Sequence, residues 1–362
     1  MKKVTDNYFS QRNHDCQVKI NKILNDDLPD FCREFFVGIQ NRTSFLTRLN
    51  YSYDLRTFFR FSLECLPAFK NYNTPKDLIT DDLNKYTSYD LELFLNYLSD
   101  YVNDDGVDFT NSERGKARKL SAVKSLFKYF FRRGLLNSDV SAKVDSPKIH
   151  EKEIIRLERN EVNDLLDTVE QGSGLSPQQR AFYNKNAVRD MAIVALFLGT
   201  GIRVSELVGL NVEDVDFKND SFVVTRKGGN RVILYLNEEI KEYLTVYIKY
   251  RETLPLPKDE KALFISIQKT RLTTRAVENI IKKYSKIAVP LKKITPHKLR
   301  STFGTELYRT TGDIYVVADV LGHKDVNTTK KHYAALTEDV RKRASQVVTL
   351  RKNDDDDDTK IE

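Results

Sequence analysis

VDFKNDSFVVTRKGGNRVILYL, residues 215–236, is the stretch that decides the fold. β-Branched and aromatic residues form two short runs, SFVVT and RVILYL, on either side of a turn that holds Gly228 and Gly229. That is the pattern of an antiparallel hairpin. With VDF ahead of it, 214–236 reads as a small antiparallel sheet with Lys227 at or near its last hairpin. Outside this stretch the apolar spacing is helical. Helices are predicted over 237–251, 273–287, 296–311, 313–321 and 327–347. Toward the N-terminus, between Leu28 and Asn137, four apolar groups repeat at helical spacing, led by Phe31, Tyr53, Leu91 and Leu120, which predicts a bundle of about four helices. The chain is therefore mainly α, a helical bundle followed by a mostly helical region that carries one small sheet.

The chain has 362 residues, a length that suits about two domains. With 40% apolar and 31% charged residues, 14 Gly and 9 Pro, it is neither collagen-like nor of the composition that stays unfolded. Its longest apolar run, 191–199, is far shorter than the roughly 20 residues that span a bilayer. The opening MKKVTDNYFSQRNHD has no apolar signal core, so neither a membrane nor a secreted protein is expected. Cys16, Cys32 and Cys65 show no CxxC spacing, which points to a reducing cytoplasm, with no disulfide framework and no metal site. The formal charge is +7, and it is pulled down by an acidic tail, 351–362, expected to be disordered and solvated. A basic body suits an anionic partner such as DNA.

The expected organisation is an N-terminal arm or loosely attached helix at 1–25, a helical DNA-binding domain at 26–142, a charged linker at 143–159, and a catalytic domain at 160–350. Thr80-Asp81-Asp82 and Thr110-Asn111-Ser112-Glu113 read as helix starts, and Gly134 as a stop. The last bundle helix begins ERGKARKLSAVKS. Its cations Arg114, Lys116, Arg118, Lys119 and Lys124 read either as a solvated face or as phosphate contacts along a DNA backbone.

The sequence lacks GxxxxGK[ST], a strand-linked GxGxxG, HExxH and GxSxG, so the usual signatures of nucleotide use, zinc hydrolysis and serine hydrolysis are missing. Four basic segments remain: GTGIRVSEL (199–207), TRKGGNR (225–231), TPHKLRSTFGTEL (295–307) and LGHKDVNTTKKHY (321–333). Singly, each has an ordinary structural explanation. Together they present two arginines, a lysine, two histidines and a tyrosine, the set a phosphodiester needs when no metal is at hand. Guanidinium forks neutralise charge building on the non-bridging oxygens, a role for Arg203 and Arg300. A phenol with pKa near 10 must lose its proton to attack, and the departing oxygen must gain one, so a base and an acid are needed. His297 and Lys227 can supply them. The product, a phosphotyrosine, retains the bond energy for resealing without ATP or another cofactor.

These four segments resemble those of the tyrosine recombinases, or phage integrase family, over roughly residues 26–345. The resemblance makes Tyr333 the nucleophile, Arg203 the first catalytic arginine, Lys227 the hairpin lysine, His297 and Arg300 the HxxR pair, and His323 the LGH histidine. Glu206 corresponds to the acidic residue that steadies the first arginine. The implied fold is a C-shaped clamp of a helical core-binding domain and a mixed, mostly helical catalytic domain. The implied reaction cuts and rejoins duplex DNA through a 3′-phosphotyrosyl intermediate and a Holliday junction. The implied partners are a double-stranded recombination site with inverted half-sites and a homotetramer on two such sites, with an accessory directionality factor left open. His323 to Tyr333 is one residue longer than is common in the family; an extra residue in the loop before Thr328 leaves the helix phase intact, whereas one inside the helix would turn Tyr333 away by about 100°.

Within the family, NKNAVRDMAIVALFL, VTRKGGNR and TPHKLR resemble the Xer branch, especially its single-recombinase members, so chromosome dimer resolution is the expected role. The alternative is an integrase or excisionase of a mobile or conjugative element. A DNA-binding homologue that does not cut is disfavoured because binding alone requires no nucleophile. A type IB topoisomerase is disfavoured by the LGH segment and by a helix predicted beyond Tyr333, 338–347, which by resemblance docks on a neighbouring subunit.

Overall fold

The computed structural model describes residues 8–102, 106–150, 155–226, 229–257, 260–322 and 326, and it divides into two units between Lys152 and Glu153, inside the stretch where the linker is expected. The first unit contains α1 (Tyr8–Asp26), α2 (Phe31–Gly38), α3 (Phe45–Cys65), α4 (Ser88–Tyr97) and α5 (Glu113–Arg132). Its core is rich in aromatics. The ring of Phe58 meets those of Phe59, Tyr86, Phe94 and Phe127 at centroid separations of 5.2–6.4 Å, in the range where edge-on and tilted ring pairs add to burial.

Of the arm or loosely attached helix expected at 1–25, the described part is a helix, and it is firmly packed. Residues 8–26 are a regular helix that packs on α3, with Cys16, Ile20, Ile23 and Leu24 buried in the same core as the other helices. Those four residues fall at i, i+4, i+7 and i+8, a narrow stripe that otherwise polar surroundings mask in a composition-based reading. Thr80–Asp82 also starts something other than an α-helix. It opens a 3₁₀ segment, Thr80–Lys85, where Asp82 accepts from the Ile79 N–H at 2.8 Å. The α-helix starts after Thr87, whose hydroxyl accepts from the Asp90 N–H at 3.2 Å. Ser112 caps α5 as expected, and Gly134 follows that helix at φ +72°. A short hairpin of β1 (Tyr101–Val102) and β2 (Asp108–Phe109) joins α4 to α5.

The second unit is built on α7 (Pro177–Thr200), whose apolar run Met191–Phe197 is buried throughout and packs against α6 (Arg159–Gln171), α9 (Glu238–Glu252) and α11 (Pro296–Thr311). After the short α8 (Val204–Gly209) comes the antiparallel sheet of β3 (Val215–Asp216), β4 (Ser221–Thr225) and β5 (Arg231–Tyr235), in that order. Pairing runs from Ser221 opposite Tyr235 to Thr225 opposite Arg231. The loop closes where Arg226 N–H donates to Asn230 O at 2.8 Å and Gly229 N–H donates to Arg226 O at 3.0 Å. α10 (Thr274–Ala288) and α12 (Ile314–Leu321) complete the described helices, each within two residues of its predicted bounds. The helix predicted over 327–347 and the acidic tail lie outside the described residues. Among the described residues, no helix is long and apolar enough to cross a membrane.

Candidate active site

Two glycine turns frame the site. Gly201 ends α7 at φ +61°, a left-handed conformation that side chains resist, and a Cβ there would lie 2.5 Å from Phe303 Cδ1. Gly322 ends α12, also at φ +61°, and a Cβ on it would lie 2.0 Å from Arg226 Nη1. The first turn leads through Ile202 into Arg203. The second leads directly into His323.

Arg203 sits just ahead of α8, where the backbone is still extended. Its N–H donates to Glu206 Oε2 at 3.0 Å and its Nη1 donates to Glu206 Oε1 at 2.7 Å, so one buried carboxylate holds both the backbone and the head group. Its Nη2 donates to Gly322 O at 3.0 Å. Arg300, buried on α11, donates through Nη1 to Gly201 O and through Nη2 to Leu321 O. The two guanidiniums therefore come from segments far apart in sequence and meet at the 321–322 turn. His297 occupies the first turn of α11, exposed, one turn ahead of Arg300. Lys227, His323 and Tyr333 lie outside the described residues, although their neighbours Arg226 and Gly322 are within them. Of the tyrosines around the LGH segment, Tyr308 is buried against Val317 and Leu321, and Tyr315 is exposed on α12.

Arg226 is the one residue here that the sequence reading passes over. Its Nη2 donates to Val320 O at 2.9 Å, and its Nε is buried with no hydrogen-bond partner among the described residues. Burial pulls the guanidinium below its ordinary pKa. Glu206 and Asp319 oppose that pull, and the like charge of Arg203 adds to it. Strand alternation is the signal that finds it. Phe222 and Val224 are buried on β4, and Arg226 falls two residues further on the same face.

The cations of α5 divide by environment. Arg114 is exposed, and Lys116 donates to Glu113 at 3.1 Å. Arg118 and Lys119 both reach Asp54, whose carboxyl is fully buried. Lys119 is itself 8% exposed, while the Arg118 side chain keeps 46% of its surface in solvent. Burial pushes the Asp54 carboxyl up, and the two cations pull it back. Lys124 donates to Val144 O. Lys119 and Lys124 are thus committed to contacts inside the bundle, because a buried carboxylate and a helix-end carbonyl both need donors.

Residues 155–339 match the phage integrase family. The chain belongs to that family. It is 34% identical over 286 residues to the tyrosine recombinase XerC of Caldanaerobacter subterraneus subsp. tengcongensis, covering 77% of this chain and 75% of that one. It is 32% identical over 350 residues to the tyrosine recombinase XerS of Streptococcus agalactiae, covering 89% of this chain and 96% of that one. In fold it is similar to the XerH site-specific recombinase, solved bound to a palindromic difH substrate as a post-cleavage complex. The TM-score there is 0.59 at 20% identity, covering 83% of this chain and 80% of that one. The mainly helical, two-unit architecture with a small antiparallel sheet is thus a tyrosine recombinase architecture.

Proposed function

We propose that this chain is an Xer-type site-specific recombinase that cuts and rejoins duplex DNA through a 3′-phosphotyrosyl bond to Tyr333. The observation that carries the reading is the meeting of Arg203 and Arg300 at the turn before His323, with Glu206 fixing the first arginine. Two guanidiniums held by their own fold can receive a phosphate without reorganising, and preorganised donors of this kind supply much of the stabilisation of a developing charge. His297 and Lys227 serve as base and acid, and His323 supplies a further donor. The attacking phenol bonds to phosphorus and the bond to the 5′ oxygen breaks. The proton leaving Tyr333 goes to the base, and the acid delivers one to the 5′ oxygen. The form this reading takes is two DNA sites held by four copies, in the cytoplasm, with chromosome dimer resolution as the role; what supports its recombinase part is the likeness to proteins named tyrosine recombinase XerC and XerS. Of the five α5 cations singled out from the sequence, Arg114 and Arg118 are the exposed ones available for backbone phosphates.

The test is a nicked suicide duplex built on inverted repeats from the host chromosome and from DNA flanking the gene. The wild-type chain should become covalently linked to the 3′ phosphate, and Tyr333→Phe should bind the duplex and form no adduct. An adduct with Tyr333→Phe would reassign the nucleophile. Absence of any adduct with the wild type on a duplex that it binds specifically would refute the recombinase reading.

A further inference from the structure

A helix leaves its last carbonyls without intrahelical partners, so the end of α12 can be accounted for group by group. The Gly322 N–H covers Ala318 O and Asp319 O. The next three carbonyls, those of Val320, Leu321 and Gly322, each accept from a different arginine: Arg226, Arg300 and Arg203. Two of these arginines are the pair assigned to the phosphate in the proposed function. The third is Arg226, which leaves β4 at the root of the hairpin loop and whose guanidinium lies so close to Gly322 that no side chain fits between them.

We propose that Arg226 is a positioning residue for strand cleavage: its bond to Val320 O and its packing on Gly322 tie the hairpin, whose next residue is Lys227, to the turn whose next residue is His323. The proposal rests on the recombinase reading above. A proton donor on a hairpin loop reaches the leaving oxygen only if the loop is anchored. The anchor uses a planar fork. Its edge serves the carbonyl and the rest of the group covers the glycine, which a lysine ammonium cannot copy.

The test compares wild type, Arg226→Ala, Arg226→Lys and Lys227→Ala in single-turnover cleavage of the nicked duplex that the wild-type chain cleaves, alongside the dissociation constant for the same duplex. A second substrate carries sulfur in place of the bridging 5′ oxygen, because a thiolate departs without needing a proton. Arg226→Ala should bind DNA within about threefold of wild type and cleave the oxygen substrate about 10- to 100-fold more slowly, with Arg226→Lys intermediate. On the sulfur substrate both variants should return to within about threefold of wild type, as Lys227→Ala should. Wild-type rates for Arg226→Ala on oxygen, or equal losses on oxygen and sulfur, overturn the proposal. Wild-type cleavage of the oxygen substrate by Lys227→Ala instead overturns the acid assignment on which it rests. If Arg226→Ala fails to fold by thermal melting, Arg226→Lys carries the same two-substrate comparison, and equal losses on both substrates count against the proposal in the same way.

Discussion

Replacing Glu206 by glutamine changes one atom and removes the charge on which Arg203 depends. The carboxylate is 3% exposed and receives two donors from the same residue, the Arg203 backbone N–H at 3.0 Å and Nη1 at 2.7 Å. A glutamine offers a single oxygen and turns an NH₂ toward the other donor, so one of the two bonds must be lost. A hydrogen bond to a charged group contributes about 1.5–3 kcal/mol. In a unit of about 200 residues, where 1 kcal/mol shifts Tm by about 2–4 °C, the melting temperature should fall by about 3–12 °C. If the whole loss also appears in the transition state, because Arg203 no longer holds its orientation, cleavage should slow about 10- to 150-fold. Arg226 also loses the carboxylate that offsets its burial beside Arg203. Scanning calorimetry at fixed ionic strength and single-turnover cleavage of the nicked duplex read the two effects separately. A melting temperature within about 1 °C of wild type, with cleavage within about twofold, would refute the view that Glu206 orients Arg203.

Three further outcomes follow from the same geometry. Gly201→Ala places a methyl 2.5 Å from Phe303 and 2.9 Å from Leu321 on a backbone at φ +61°, so urea unfolding should show a loss of about 2–5 kcal/mol; a change under about 0.5 kcal/mol would contradict the close packing at that turn. Lys119→Ala leaves the fully buried Asp54 with only the half-exposed Arg118 and should cost about 3–5 kcal/mol, most of it recovered by the apolar pair Asp54→Leu with Lys119→Met. If the double variant is no more stable than the single one, the buried charge is not the source of the loss. Finally, Glu161, held by Lys292 at 2.6 Å, and Glu158, held by Arg309 and Arg156, both titrate below the ordinary carboxylate value of 4.5; burial opposes that shift and these hydrogen bonds outweigh it. A depressed folded pKa contributes stability that is complete above the unfolded value and lost as pH falls through the folded one. Melting temperature should therefore decline below about pH 4.5, less steeply in Glu161→Gln, and identical acid profiles would count against the pairing.

Much of this was legible from local rules. The hairpin is carried by β-branched runs around two glycines, and the bounds of α11 coincide with those predicted because Pro296 sets its first turn and Gly312 its end at φ +67°. Arg203 and Arg300 were legible as types in stereotyped settings, and the structure brings both to the turn at the end of α12. The firm packing of α1 was not legible, because four apolar residues in a polar helix carry little weight until α3 is there to cover them. Lys119 and Lys124 looked like their neighbours because charge in sequence does not show whether Asp54 or Val144 O stands opposite.

By itself, the amino-acid order determined the helical periods and the hairpin, and it offered residue types whose chemistry suits a phosphodiester, since these depend on spacing within a few residues or on side-chain chemistry. Only the tertiary structure decided which carbonyl each arginine meets, and that Arg226 joins Arg203 and Arg300 at the end of α12. Those contacts link residues distant in the chain, and their geometry is set by packing at two glycine turns rather than by any preference of the arginines themselves.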